Sequence, residues 1–228
     1  VWIDIPLDIQ GSKIDPDTLE GYMPTEQPDY APKQADIDVI VEKLKTAKRP
    51  VIYAGNGIRI ADAYPEFSQL VEVLQIPVVT AWNSIDLMAT EDSCYAGRGG
   101  TMGDRAGNFA VQNSDFLLSL ACRLNLYQSG YDVKTWARAA YTVVVDIDPY
   151  ELKKPTIRVD KPVCCDVKQL MVRLTESWQK QGATTDCEAW KKQCQIWKKK
   201  YPVAQSKHYK AEKANVYAFV DTLSRHLP

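Results

Sequence analysis

Short unbroken apolar runs alternate along this chain with segments whose apolar residues recur every three or four positions. VIYA at 51–54, PVVT at 77–80, FLLSL at 116–120, YTVVVDI at 141–147 and PVCC at 162–165 are of the first kind. Each is too short for a surface helix and ends in polar or turn residues, which predicts buried strands. Ile37, Ile40, Val41, Leu44 and Ala47 are of the second kind and predict a helix ending near Arg49. Asp36 near its start and Lys43, Lys45 and Lys48 towards its end match the helix dipole. Phe67, Leu70, Val71 and Leu74 predict another, with Pro65 in its first turn. Residues 132–139 predict a short helix, and Val167, Leu170, Met171 and Leu174 form the stripe of one over 166–181.

Continuous apolar strands alternating with helices predict an α/β fold: a doubly wound, Rossmann-like parallel sheet of about six strands with helices on both faces. The chain's opening, VWIDI, reads as an apolar strand that breaks at Pro6, and proline, aspartate and glycine then dominate 11–34 as in a linker. After the sheet, 183–200 predicts an exposed helical extension with Trp190, Cys194 and Trp197 on one side, its tryptophans docked on a neighbouring domain. Val216, Phe219, Val220, Leu223 and Leu227 begin a further amphipathic helix.

Composition narrows the function. With 228 residues, 45% apolar, 25% charged and a net charge of -1, the chain can bury a sizeable core, and nothing in its overall charge favours nucleic acid or an anionic membrane. No apolar run reaches the roughly 20 residues that cross a bilayer, so a cytoplasmic protein is expected. The six cysteines contain no C-x-x-C, and His208 and His226 are the only imidazoles, which argues for reduced, packed thiols and no metal site. The basic stretch 191–213, interleaved with Trp197, Tyr201 and Tyr209, imitates a nucleic-acid surface but reads better as a solvated helix. The chain begins at Val1 without methionine, as a piece of something longer would.

In a doubly wound sheet ligands bind at the carboxyl ends of the strands, and the polar breaks of this chain fall there. Gly55-Asn56-Gly57 follows the first strand; it offers either an anion-binding helix start or a glycine pair that permits positive φ in a tight turn. Residues 97–115 carry five glycines with Arg98 and Arg105, either a backbone that approaches a flat or anionic ligand or a flexible loop. Arg123 sits at the ligand edge, or pairs with a carboxylate at the rim. Asp146 and Asp148 close the 141–147 strand, where a ribose contact or a helix cap fits better than catalysis. Neither a nucleophile elbow, nor a phosphate loop ending Gly-Lys-Ser/Thr, nor a His-Glu-x-x-His helix is present.

The order of these pieces resembles the middle of a thiamine diphosphate-dependent enzyme of the acetolactate synthase type. VWIDIPLDIQ resembles the end of a pyrimidine-binding domain; RPVIYAGNGIR, GNFAVQNSDFLLSLACRL and VVVDIDPYELKKPTI resemble successive landmarks of the central domain; ANVYAFVDTLSRHLP resembles the start of a pyrophosphate-binding domain. The resemblance implies a division into 1–10, a linker 11–35, the central domain 36–181, a helical extension 182–214 and the next domain from 215. It implies thiamine diphosphate and Mg2+ in the full-length enzyme, a 2-oxo acid substrate, a dimeric or tetrameric homo-oligomer, and no catalytic or metal-binding residue in this segment. It also implies FAD, or another adenine nucleotide, in the central domain. Carried over by position, Gly55, Asn56 and Gly57 match the glycine loop, Thr80 and Trp82 the next strand end, and Gly100, Met102 and Gly103 a Gly-Met-His-Gly loop that here lacks its histidine. Arg123 matches the following loop, and Asp146 and Asp148 the acid-rich strand end. The competing readings are a free-standing NAD- or FAD-binding module, deacylase-like or electron-transfer flavoprotein-like, and a ligand-free spacer between two catalytic domains.

Overall fold

The computed structural model describes residues 2–24 and 28–227. Six strands, β1 (Pro50–Ala54), β2 (Val78–Thr80), β3 (Tyr95–Arg98), β4 (Phe116–Leu120), β5 (Tyr141–Asp146) and β6 (Lys161–Cys164), form one sheet in the order β3-β2-β1-β4-β5-β6. All five pairings are parallel. Every residue of β1, β2 and β4 is buried, as strands covered on both faces must be. The chain starts at the centre, winds out to β3, returns to β4 beside β1 and winds out again to β6. Connections therefore leave β1 and β4 towards opposite faces, and a crevice opens between their carboxyl ends.

The helices are α1 (Leu7–Gln10), α2 (Gln34–Thr46), α3 (Gly57–Ile60), α4 (Tyr64–Leu74), α5 (Arg105–Asn113), α6 (Leu126–Ser129), α7 (Val167–Lys180), α8 (Glu188–Lys200), α9 (Ser206–Tyr209) and α10 (Val216–Ser224). The predicted stripes of α2, α4 and α7 are buried, and these three helices pack side by side. Asp166 caps α7 by accepting the Gln169 N–H at 2.8 Å. In α10 the apolar residues Val216, Phe219, Val220 and Leu223 are exposed.

Three expectations change. VWIDI, expected as a strand, is none: its residues 2–5 join no ladder and lead through Pro6 into the short helix α1, and Val1 lies outside the described residues. The sixth strand of the sheet is β3, which runs into the glycine-rich stretch at Gly97 and Arg98, and the rest of that stretch is a tight turn and α5 rather than a long loop. Asp104 makes this possible: its two carboxylate oxygens accept the Arg98 N–H at 2.9 Å and the Gly107 N–H at 2.7 Å, tying the strand end to the helix start. Residues 132–139 are successive turns and not a helix, because Trp136 is tucked into the core and Ala137 takes a left-handed φ of 45°.

The tryptophans of α8 dock inside this same unit rather than on a neighbour. Trp190 is buried and donates its indole N–H to the Pro50 carbonyl at 3.1 Å, while Trp197 meets both Trp190 and Phe109 of α5 edge-on, each at 5.6 Å. Helix α8 also protects the open edge of β3. Gln195 and Lys198 both donate to the Tyr95 carbonyl, at 3.1 and 2.8 Å, where an unpaired edge would invite another strand. Burial there pulls the Lys198 ammonium below its ordinary pKa. At the other edge, Pro162 in β6 has no N–H to leave unpaired.

Replacing Trp190 by alanine removes a buried indole and its hydrogen bond, and is expected to cost about 3–5 kcal/mol of unfolding free energy, read from urea denaturation. A shift within about 0.5 kcal/mol, the range of an ordinary surface substitution, would show that α8 is peripheral to the fold.

Candidate functional site

The carboxyl ends of β1, β2, β4 and β5 bring the predicted residues to one edge of the sheet. At its centre the Gly55 N–H donates to the Leu120 carbonyl at 2.9 Å, and the Gly57 N–H to the Ala121 carbonyl at 3.2 Å. A Cβ on Gly55 would lie 2.2 Å from the Ala121 carbonyl oxygen, and one on Gly57 would lie 2.5 Å from the Ala121 methyl. Neither glycine has a positive φ; Ala121 opposite them does, at 47°. The glycines are therefore required by the contact between the exits of β1 and β4. Their two amides are engaged by that contact, and Asn56 begins the single turn of α3.

Thr80 ends β2 fully buried, and its hydroxyl has no protein partner. Trp82 follows half-exposed and meets the Tyr127 ring edge-on at 5.9 Å. The glycine turn closes over this corner. The Gly99 N–H bonds the Thr80 carbonyl at 3.1 Å, Gly100 exchanges two 2.9 Å bonds with the Asn108 side chain, and the Thr101 N–H bonds the Tyr127 carbonyl at 2.7 Å. Gly100 has a φ of 103°, and a Cβ on it would lie 2.2 Å from that same Tyr127 carbonyl. A Cβ on Gly103 would collide with the Arg98 carbonyl at 2.4 Å. Met102 points outward, and Gln128 beside Gly100 is buried with its carbonyl oxygen unpartnered.

Arg123 is exposed, with Nε 3.7 Å from Glu151, whose other oxygen holds Lys154 at 2.7 Å. Lys154 also donates to the Arg123 carbonyl. Asp146 is 8% exposed and accepts the Asp148 N–H at 2.9 Å; Asp148 in turn accepts the Tyr150 N–H at 2.8 Å. Both acids thus brace successive turns, and no helix follows for them to cap. Burial raises the Asp146 pKa, with the Asp148 N–H opposing the shift. Ala121, Tyr127, Gln128 and Glu151 complete the edge without having been expected. Only Asn125, which caps α6 by accepting the Tyr127 N–H at 3.0 Å, left a trace, as a cap-type residue ahead of a turn.

All six cysteines are free, and burial pushes the thiols of Cys122, Cys165 and Cys194 up to about 12, which disqualifies them as nucleophiles near neutral pH. Among the described residues no grouping of histidine, cysteine and carboxylate side chains suits a metal ion, and no helix is long and apolar enough to cross a membrane.

A family model, "Thiamine pyrophosphate enzyme, central domain", matches residues 37–174, a span that begins within α2, takes in the whole sheet and ends within α7. The chain belongs to that family. The chain is 31% identical over 189 residues to the acetolactate synthase large subunit of Corynebacterium glutamicum, covering 82% of this chain and 30% of that protein. It is 34% identical over 179 residues to a probable acetolactate synthase large subunit of Methanococcus aeolicus, covering 75% and 29%. A sulfoacetaldehyde acetyltransferase of Rhodobacter capsulatus is 32% identical over 149 residues, covering 64% and 25%. The chain spans about 30% of the length of the first two relatives. This membership does not favour a free-standing nucleotide-binding module.

Two outcomes follow from the geometry of the central domain. Gly55→Ala forces a methyl into backbone and is expected to cost more than about 3 kcal/mol with no ligand in solution, read from urea denaturation; a neutral effect would contradict the tight β1–β4 contact. Asp146→Asn keeps the acceptor for the Asp148 N–H but cannot ionise. Because the folded pKa of Asp146 is raised, the wild type loses stability as pH climbs from the usual carboxylate range through that raised value. The Asn variant is therefore expected to gain on the wild type over that interval and keep the advantage at pH 7, and urea midpoints equal at pH 3 and pH 7 would refute the assignment.

Proposed function

We propose that this chain is the central domain of a thiamine diphosphate- and Mg2+-dependent 2-oxo acid decarboxylase and carboligase of the acetolactate synthase type. The match over 37–174, which spans the complete six-stranded sheet, carries the reading, and the names of its relatives give the reaction class. In the whole enzyme thiamine diphosphate supplies carbanion stabilisation. This segment contributes no catalytic group in this reading; it spaces the domains on either side, the enzyme works as a homodimer or homotetramer, and its six free thiols suit the reducing cytoplasm.

For the strand-end groove we propose an adenine nucleotide, FAD included. The unpartnered Thr80 hydroxyl and Gln128 carbonyl oxygen beneath the glycine turn are what a polar ligand atom would satisfy. Trp82 and Met102 offer exposed surface for a flat ring, Arg123 a charge for phosphate, and Asp148 an acceptor for ribose hydroxyls. Gly100 and Gly103 keep the turn close to Tyr127 and Arg98, whereas Gly55, Asn56 and Gly57 form the floor and leave the phosphate to Arg123.

The test uses the full-length enzyme. With pyruvate, thiamine diphosphate and Mg2+ it is expected to release carbon dioxide and form acetolactate; no carbon dioxide from any 2-oxo acid would defeat the proposal. Titrated with FAD and ADP, the same protein is expected to bind one of them, and Arg123→Gln to weaken that binding about tenfold, the scale of one charge-assisted hydrogen bond.

A further inference from the structure

A second site stands apart from the strand-end groove and does not depend on it. A cavity of about 380 Å³ opens near the amino ends of β5 and β6, where the turns of 132–139 and the segment 156–158 cover the sheet in place of helices. Its walls carry three cations, Lys134, Arg138 and Arg158, and no carboxylate. Arg158 is held from below, donating to the Ala140 carbonyl at 2.6 Å and lying 3.2 Å from Asp160. Arg138 donates to the neutral Gln112 side chain at 3.3 Å, and among the described residues neither it nor Lys134 has a carboxylate within ion-pair distance. Trp136 and Ile157 give the cavity an apolar side, and the threonines Thr142 and Thr156 also line it. Ala137, held left-handed between Trp136 and Arg138, turns the chain at this point at the cost of backbone strain, a feature that clusters at ligand clamps.

We propose that this cavity binds a small organic phosphate. Its phosphate lies among Lys134, Arg138 and Arg158, and its body lies against Trp136 and Ile157. Two guanidinium forks and an ammonium suit a phosphate oxyanion, and the volume falls within the range of sites for small metabolites and leaves room for a group as large as a nucleoside. A bare phosphate would fill little of it.

The experiment is calorimetric titration of AMP and of inorganic phosphate into the intact protein carrying Arg123→Gln, which weakens any binding at the other edge of the sheet. AMP is expected to bind, phosphate to bind at least about tenfold more weakly, and Lys134→Gln combined with Arg138→Gln, added to that background, to weaken AMP by about tenfold or more. Because no variant is needed for it, amide chemical shifts of Ala137, Thr142 and Ile157 give a second readout, and all three are expected to move on adding AMP. The proposal is overturned if AMP does not bind this protein, if phosphate binds as tightly as AMP, if the Lys134 and Arg138 substitutions leave AMP binding unchanged, or if those three shifts stay in place.

Discussion

Everything at the carboxyl edge of this sheet depends on how closely the exits of β1 and β4 approach each other. Gly55 and Gly57 face Ala121 with no room for a side chain on either glycine, and two backbone hydrogen bonds carry the strand pairing beyond the last strand residues. The chain leaves β1 towards one face of the sheet and β4 towards the other, so this is where the two halves of the fold are joined. A left-handed alanine stands on the β4 side of the junction, a conformation that costs an L-residue about 1 kcal/mol or more. The surrounding hydrogen bonds hold it there.

From that junction the other corners of the edge are set by local devices. Asp104 fastens β3 to α5, Asn108 shapes the Gly100 turn, and Asp146 and Asp148 brace the exit of β5. Each uses a short polar side chain to satisfy backbone amides that the strand or helix leaves open. The same residues look like ligand contacts in a linear sequence, because a carboxylate at a strand end serves either purpose. Buried polar atoms on Tyr53, Thr80 and Gln128, close to the glycine turn, are left without a partner, and this sets the groove apart from an ordinary set of turns.

The sheet also shows unequal cover. Helices α2, α4 and α7 pack as a layer, and α8 with α5 closes the β3 edge through Trp190, Trp197, Gln195 and Lys198. Over β5 and the start of β6 the crossovers are irregular, and a cationic cavity remains between them. Lysine-rich α8, by contrast, turns part of its charge inward: Lys198 donates to the Tyr95 carbonyl of the edge strand and to the Thr90 carbonyl ahead of it, so its basic character is partly structural.

The sequence by itself determined the architecture. Short unbroken apolar runs bounded by turn residues read as strands, and stripes at helical spacing as helices with one buried face, so five strands and the helices α2, α4 and α7 are legible from the pattern, although the edge strand β6 buries only Val163 fully. The order of the motifs also pointed to the family that the match over 37–174 shows. Tertiary structure decided what burial pattern does not encode. Tyr-Ala-Gly-Arg is too short and too glycine-rich to announce a strand, and becomes β3 because β2 pairs with it on one side and α8 covers the other. Gly55 and Gly57 are glycines for the sake of Ala121, which lies more than sixty residues away along the chain. Close approach between distant backbones leaves no periodic trace in a sequence, because its cause is a neighbour that only the folded chain supplies.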